Sequence, residues 1–215
     1  MQSAEEVLAW RGQTLTGAWL DDLDLRGLDL ATTTLAGVNL RKIGLGGANL
    51  SRTTWETAEL VGCDLQRADL GQASMSGVRL TQCNLAQVRA TATSVRFSHL
   101  LDCMLPGMNL DGARWKDVHV EGGDTHSLSA EKSVLLRCRF SHARLGGAPL
   151  MRARFTHAFL LECDLRFANL YAADLTGAVL IRCDLTEAHF DGADLRGALL
   201  LDCRTDRTDW ADARR

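Results

Sequence analysis

From Leu15 to Leu200 every fifth residue is apolar, and the register never slips. The series opens Leu15, Leu20, Leu25, Leu30 and closes Leu185, Phe190, Leu195, Leu200, with Thr125 its one polar member. A period of five fits neither the helical repeat of 3.6 nor the strand repeat of two, so no ordinary amphipathic element explains it. A fixed self-similar unit along nearly the whole chain defines a repeat solenoid. The position two before each central residue is nearly always small, as in Ala48, Cys63, Ala68, Ala153 and Ala193. The position just before it is often Asp or Asn, at 64, 69, 84, 109, 164, 169, 174, 184 and 194.

The unit is therefore Ala-(Asp/Asn)-Leu-X-X, as in Ala168-Asn169-Leu170 and Ala173-Asp174-Leu175. Dozens of such units in one phase, over roughly residues 13 to 210, strongly resemble the pentapeptide-repeat family. The resemblance implies an all-β fold, a right-handed quadrilateral parallel β-helix. Each pentapeptide would form one side of a square and four would form a 20-residue coil, giving about ten coils. The central residue and the small one before it would point inward. An Asp or Asn side chain can bond nearby backbone and help turn the corner.

The seven cysteines give an internal check. All occupy the small inward position, and Cys63, Cys83, Cys103, Cys163, Cys183 and Cys203 share one phase of 20, with Cys138 on another side. Stacked inward thiols on parallel strands sit near the strand spacing, wider than disulfide geometry allows. They read as small buried hydrophobes in a reducing, cytoplasmic setting.

Ser3-Ala4-Glu5-Glu6 before Val7, Leu8 and Trp10 is a capping-box pattern, which predicts a short N-terminal helix within residues 1–12. The solenoid is expected over 13–210, with 211–215 a short tail. Leu23, Leu28, Val38 and Ile43 at small positions suggest a wider first turn. Two stretches weaken the pattern: Val88 to Phe97, where Ala90 suggests a kink, and Glu121 to Lys132, where Gly122-Gly123 and Thr125 leave a regular coil or a bulge open. No evident helix covers the C-terminal end. Family resemblance makes that end a dimer contact, a role that an exposed Trp210 would suit.

The functional reading is thinner. No apolar run is long enough to cross a membrane and no signal segment opens the chain. No nucleophile, base and orienting group fall together, so an enzyme is not expected, and no cofactor or metal site is predicted. His99 and His119, 20 apart, should stack, yet no third ligand falls alongside. A formal charge of −3 gives no basic footprint for direct nucleic-acid binding. The side centred on Leu160, Leu180 and Leu200 shows Phe159, Leu161, Val179, Ile181, Leu199 and Leu201 outward in two adjacent columns. Exposed patches of this kind mark interaction surfaces, and these six residues with Trp210 are the candidate interface. The reading is a non-enzymatic interaction module, a rigid rod contacting a protein partner or a second copy. The alternative, from family resemblance, is a DNA mimic that regulates or protects DNA gyrase or another type II topoisomerase. A weaker alternative is an adaptor of a bacterial secretion or toxin system.

Overall fold

The computed structural model describes residues 10–215. The residues on which the expected capping helix mainly rests lie outside that range. Every strand partner is 20 residues away, as in Leu15↔Leu35, Trp55↔Met75 and Leu180↔Leu200. All pairing is parallel, so the chain winds as a parallel β-helix with one coil per 20 residues. We call the sides face A (centres Leu15, Leu35 and onward), face B (Leu20, Leu40), face C (Leu25, Leu45) and face D (Leu30, Leu50). Face B is a continuous ten-stranded sheet running from Trp19–Asp21 to Leu199–Leu201. Face A is a seven-stranded sheet from Thr14–Thr16 to Val134–Leu136. Faces C and D pair through single bridges such as Asp64↔Asn84 and Asp69↔Arg89.

The side type follows from the residue before each centre. On face B and the first part of face A it is mostly Thr, Ser, an aromatic or a long chain that favours extension, as at Thr34, Thr54, Trp19 and Phe159. On faces C and D it is mostly Asp or Asn. All nine Asp and Asn residues noted in the repeat accept the backbone N–H two residues on, for example Asp69 from Gly71 at 2.9 Å and Asp184 from Thr186 at 3.0 Å. This bond tightens the corner and shortens the strand to a single bridge. Face A changes type once. Beyond Val134–Leu136 its leading residues become Arg154, Asp174 and Asp194, and its corners close with turn bonds such as Ala158 N–H to the Phe155 carbonyl at 2.8 Å.

The corner residue two after each centre adopts a left-handed backbone with φ near 50–70°, as at Arg67 (59°) and Gln87 (57°). Non-glycine residues tolerate this at a cost of roughly 1–2 kcal/mol each, carried by the repeated ladder on both sides.

Inside, large centres and small partners fill the square: Leu50, Leu60, Phe155 and Phe190 are buried beside Ala48, Ala58, Ala153 and Ala188. The buried hydroxyls are bonded: Thr53 donates to the Leu50 carbonyl at 2.6 Å and accepts from the Trp55 indole N–H at 2.8 Å. The cysteine column is inward as expected, all seven thiols are free, and Cys63, Cys83, Cys163 and Cys183 each lie against a carbonyl of the coil below. Burial pushes the Cys138 thiol up to about 12.

Three stretches that break the pattern in the sequence take these forms in the structure. The stretch around Ala90 stays in register, Arg89 bridging both Asp69 and Asn109, so the rod is not interrupted there. The bulky early residues are accommodated without loss of pairing, Val38 and Ile43 being fully buried between ladders that start at Thr14. The 121–132 stretch keeps its length but breaks the ladder. Gly123 takes φ +75°, where a Cβ would lie 1.9 Å from the Cys103 carbonyl oxygen, so only glycine fits. The Asp124↔Arg144 bridge that the register calls for is missing. The Arg144 N–H instead donates to the Thr125 hydroxyl at 2.7 Å. This explains the one polar centre in the series. Next door on face D the Ser129↔Pro149 bridge is missing as well, because Pro149 has no N–H to donate. At this one junction face D keeps two backbone bonds, from the Ala130 N–H to the Pro149 carbonyl at 3.1 Å and from the Lys132 N–H to the Met151 carbonyl at 3.0 Å, so face C is the side that loses its backbone pairing.

Candidate protein interface

The three last strands of face B, Phe159–Leu161, Val179–Ile181 and Leu199–Leu201, pair in register as Phe159↔Val179↔Leu199 and Leu161↔Ile181↔Leu201. Their centres Leu160 and Leu180 are buried, which turns the six flanking side chains outward. Leu199 and Leu201 are 54% and 47% exposed, and the other four are half-buried by mutual contact. The six thus form two adjacent apolar columns on a flat sheet that ends at an open strand edge.

Trp210 does not join this sheet. It is the inward centre of the last face D side, half-buried rather than exposed, stacked on Phe190 at 4.6 Å with the Arg215 guanidinium 4.5 Å from its other face. It meets Leu200 only across a concavity of about 350 Å³ at the open end, lined also by Leu195 and Ala198. Past Trp210 the chain still follows the coil, Arg214 bridging Asp194.

Followed toward the N-terminus, the same face changes chemistry. The column that holds Phe159 continues as Arg139, His119, His99 and Arg79, each the direct strand partner of the next. The Arg139 guanidinium lies 4.8 Å from the centre of the Phe159 ring, a cation–π contact. The His99 and His119 rings meet edge-on at 4.7 Å. Partial burial, then His99 and Arg139, hold the His119 imidazole below its usual range against the pull of Asp117 and Glu121. Among the described residues no cluster of three metal-ligating side chains occurs. The basic residues are visible in the sequence, but their alignment in one column shows only when face B is followed along its length.

Elsewhere the charges are mixed and locally paired. Arg26 and Arg196 bond Asp24 and Asp194 within one repeat and hold each carboxyl down to about 2. Arg89–Asp69 at 2.7 Å, Arg137–Asp117 at 2.7 Å and Arg182–Glu162 at 2.8 Å link successive coils.

A four-sided parallel β-solenoid with a five-residue unit defines the class of protein. The pentapeptide-repeats family matches the chain in eight copies, over residues 44–82, 133–166 and 163–200. The chain belongs to the pentapeptide-repeat family. Similar solved structures include HetL, a pentapeptide repeat protein involved in heterocyst differentiation regulation from the cyanobacterium Nostoc sp. strain PCC 7120. It is 26% identical over 97% of each chain, with a TM-score of 0.46. QnrB1, a plasmid-mediated fluoroquinolone resistance protein, is 19% identical over 87% of this chain and 91% of its own, with a TM-score of 0.40. A pentapeptide repeat protein from the Arabidopsis thaliana thylakoid lumen is 29% identical over 51% of this chain and 70% of its own, with a TM-score of 0.27. No curated protein shows a significant match.

Proposed function

We propose that this chain is a non-enzymatic protein–protein interaction module, a rigid rod that presents face B to a protein partner. The observation that carries the reading is the apolar patch formed by Phe159, Leu161, Val179, Ile181, Leu199 and Leu201 on three paired strands. A flat apolar sheet left in water is a liability, and covered by a partner it supplies the apolar centre of an interface. The interior is filled by leucines, phenylalanines and alanines, so the surface is what the rod offers. Seven free thiols fit a reducing cytoplasm.

DNA mimicry toward a type II topoisomerase has less support. Six corner Asp side chains are engaged by backbone N–H groups, five of them (Asp69, Asp164, Asp174, Asp184 and Asp194) also lie beside an arginine, and the formal charge is only −3.

The test is the double substitution Ile181→Asp with Leu201→Asp. Circular dichroism should remain β-rich, because both side chains point outward. A photo-crosslinker placed at Val179 in the source cells should trap a defined adduct in the wild type and none in the double variant. A folded variant with the same adduct pattern would refute the reading.

A further inference from the structure

The apolar patch is too small to be an interface by itself. Three strands of three residues cover roughly 14 Å by 10 Å, or about 140 Å², whereas a stable interface buries about 800 Å² per partner. A partner lying flat on these strands must extend along the rod, and along face B it meets the basic column of Arg139, His119, His99 and Arg79. Around the corner, face A adds Arg114 and the directly opposed pair Arg96↔Lys116. Phe97 stands between the two faces, 57% exposed.

Among the described residues none of Arg79, Arg96, Arg114, Lys116 and Arg139 forms an ion pair, although ion pairs recur along the rest of the rod. The acids nearest to them are few: Asp117 is taken by Arg137, Glu121 flanks His119, and Glu59 is the strand partner of Arg79. Like charges set directly opposite on neighbouring strands oppose folding. The opposed carboxylates Asp164↔Asp184 and Asp174↔Asp194 each have arginine partners, whereas among the described residues the opposed Arg96 and Lys116 form no ion pair, on a chain whose formal charge is −3.

This layout also bears on whether the occupant is a second copy. A two-fold interface must be self-complementary, with each patch meeting its own equivalent. If two face B sheets ran antiparallel over their full length, the apolar strands of one would cover the arginines of the other. Run parallel, arginine would oppose arginine. Neither arrangement is complementary.

We infer that face B binds a foreign protein segment that is acidic over the Arg79–Arg139 column and apolar over the Phe159–Leu201 strands. The inference rests on the reading of face B as an interface and adds the partner's chemistry and direction. A short acidic segment fits better than a nucleic acid, because a polyanion that ran on along face B past Arg139 would lie over the apolar Phe159, Val179 and Leu199.

The test uses a labelled synthetic peptide joining a Glu-rich half to a Leu/Ile-rich half, with fluorescence anisotropy on the full chain. The controls are the same peptide with Lys for Glu, and a single-stranded DNA oligomer. We expect the acidic peptide to bind best, to weaken as salt rises, and to lose at least about tenfold in affinity on Arg79→Glu with Arg139→Glu. The wild type should sediment as a monomer. Loss of binding with Ile181→Asp/Leu201→Asp but not with the arginine reversals would overturn the acidic partner alone. No effect of the Asp pair would overturn the interface reading beneath it. Absence of wild-type binding, tighter binding of DNA, or a dimer dissolved by the Asp pair and untouched by the arginine reversals would also overturn the inference.

Discussion

Thr125 departs from the consensus at a centre where every other unit from Leu15 to Leu200 has an apolar side chain, and a consensus-minded reading would replace it with leucine. The structure argues the reverse. Gly123 turns its backbone away from the ladder, and the Thr125 hydroxyl, fully buried, becomes the acceptor for the Arg144 N–H. Thr125→Val keeps the shape and removes that acceptor, so it should cost about 1–3 kcal/mol. Chemical denaturation would measure it, and a loss near zero would mean that water replaces the hydroxyl. The glycine pair and polar centre were visible in the sequence as a weakness, but their compensation was not. It depends on where one backbone N–H and one hydroxyl sit across a coil boundary, 19 residues apart.

The sides of the square show how much of the fold was legible. The five-residue register set which residues face inward, and the shared phase of the cysteines set the 20-residue coil; both hold in every ladder. The code for side type was also present, in the alternation of Asp or Asn with Thr, Ser, Arg or aromatic residues before the centre. Read face by face it would have separated the strand-bearing sides from the tight ones. What could not be read was Pro149 as a ladder breaker, since its effect appears only when its partner Ser129 is known. The candidate interface was half legible: the apolar columns follow from spacing, whereas their union with the basic column requires reading one face along its full length. At this scale Asp184→Ala should cost about 0.5–1.5 kcal/mol through loss of its bond to the Thr186 N–H. Asp206→Ala, on an exposed side chain of the last coil, should stay within about 0.5 kcal/mol. Equal losses in paired urea titrations would remove the corner bond as the cause.

As a whole the rod is nearly one-dimensional, each coil touching only its neighbours, so its stability is a sum of coil and junction contributions. The junction weakened at Gly123 and Pro149 is then the weakest link. The cysteine column reports on both sides of it: Cys63, Cys83 and Cys103 before, Cys163, Cys183 and Cys203 after. In moderate denaturant a thiol reagent should label these as two cohorts, Cys203 at the half-buried end reacting first. Uniform labelling of all buried thiols would show that the rod opens as one unit. Beyond Leu199–Leu201 the last coil shows Asp202, Arg204, Asp206, Arg207, Asp209 and Asp212 exposed, so charge of both signs follows the apolar strands.

The loosened junction also has a mechanical meaning. A square tube tied on four sides resists bending equally in every direction, but one whose tie is thinned on a single side bends by parting that side. The thinned side is face C, where the bond from the Arg144 N–H to the Thr125 hydroxyl stands in place of the bridge, while face D keeps its Ala130 and Lys132 bonds and the ten-stranded sheet of face B runs through. Flexing would then fan the strands between His119–Glu121 and Phe159–Leu161 along the edge next to face C. The opposite edge, which carries His119, Arg139 and Phe159, would stay closed, so the basic and apolar parts of that column keep their spacing as the rod bends.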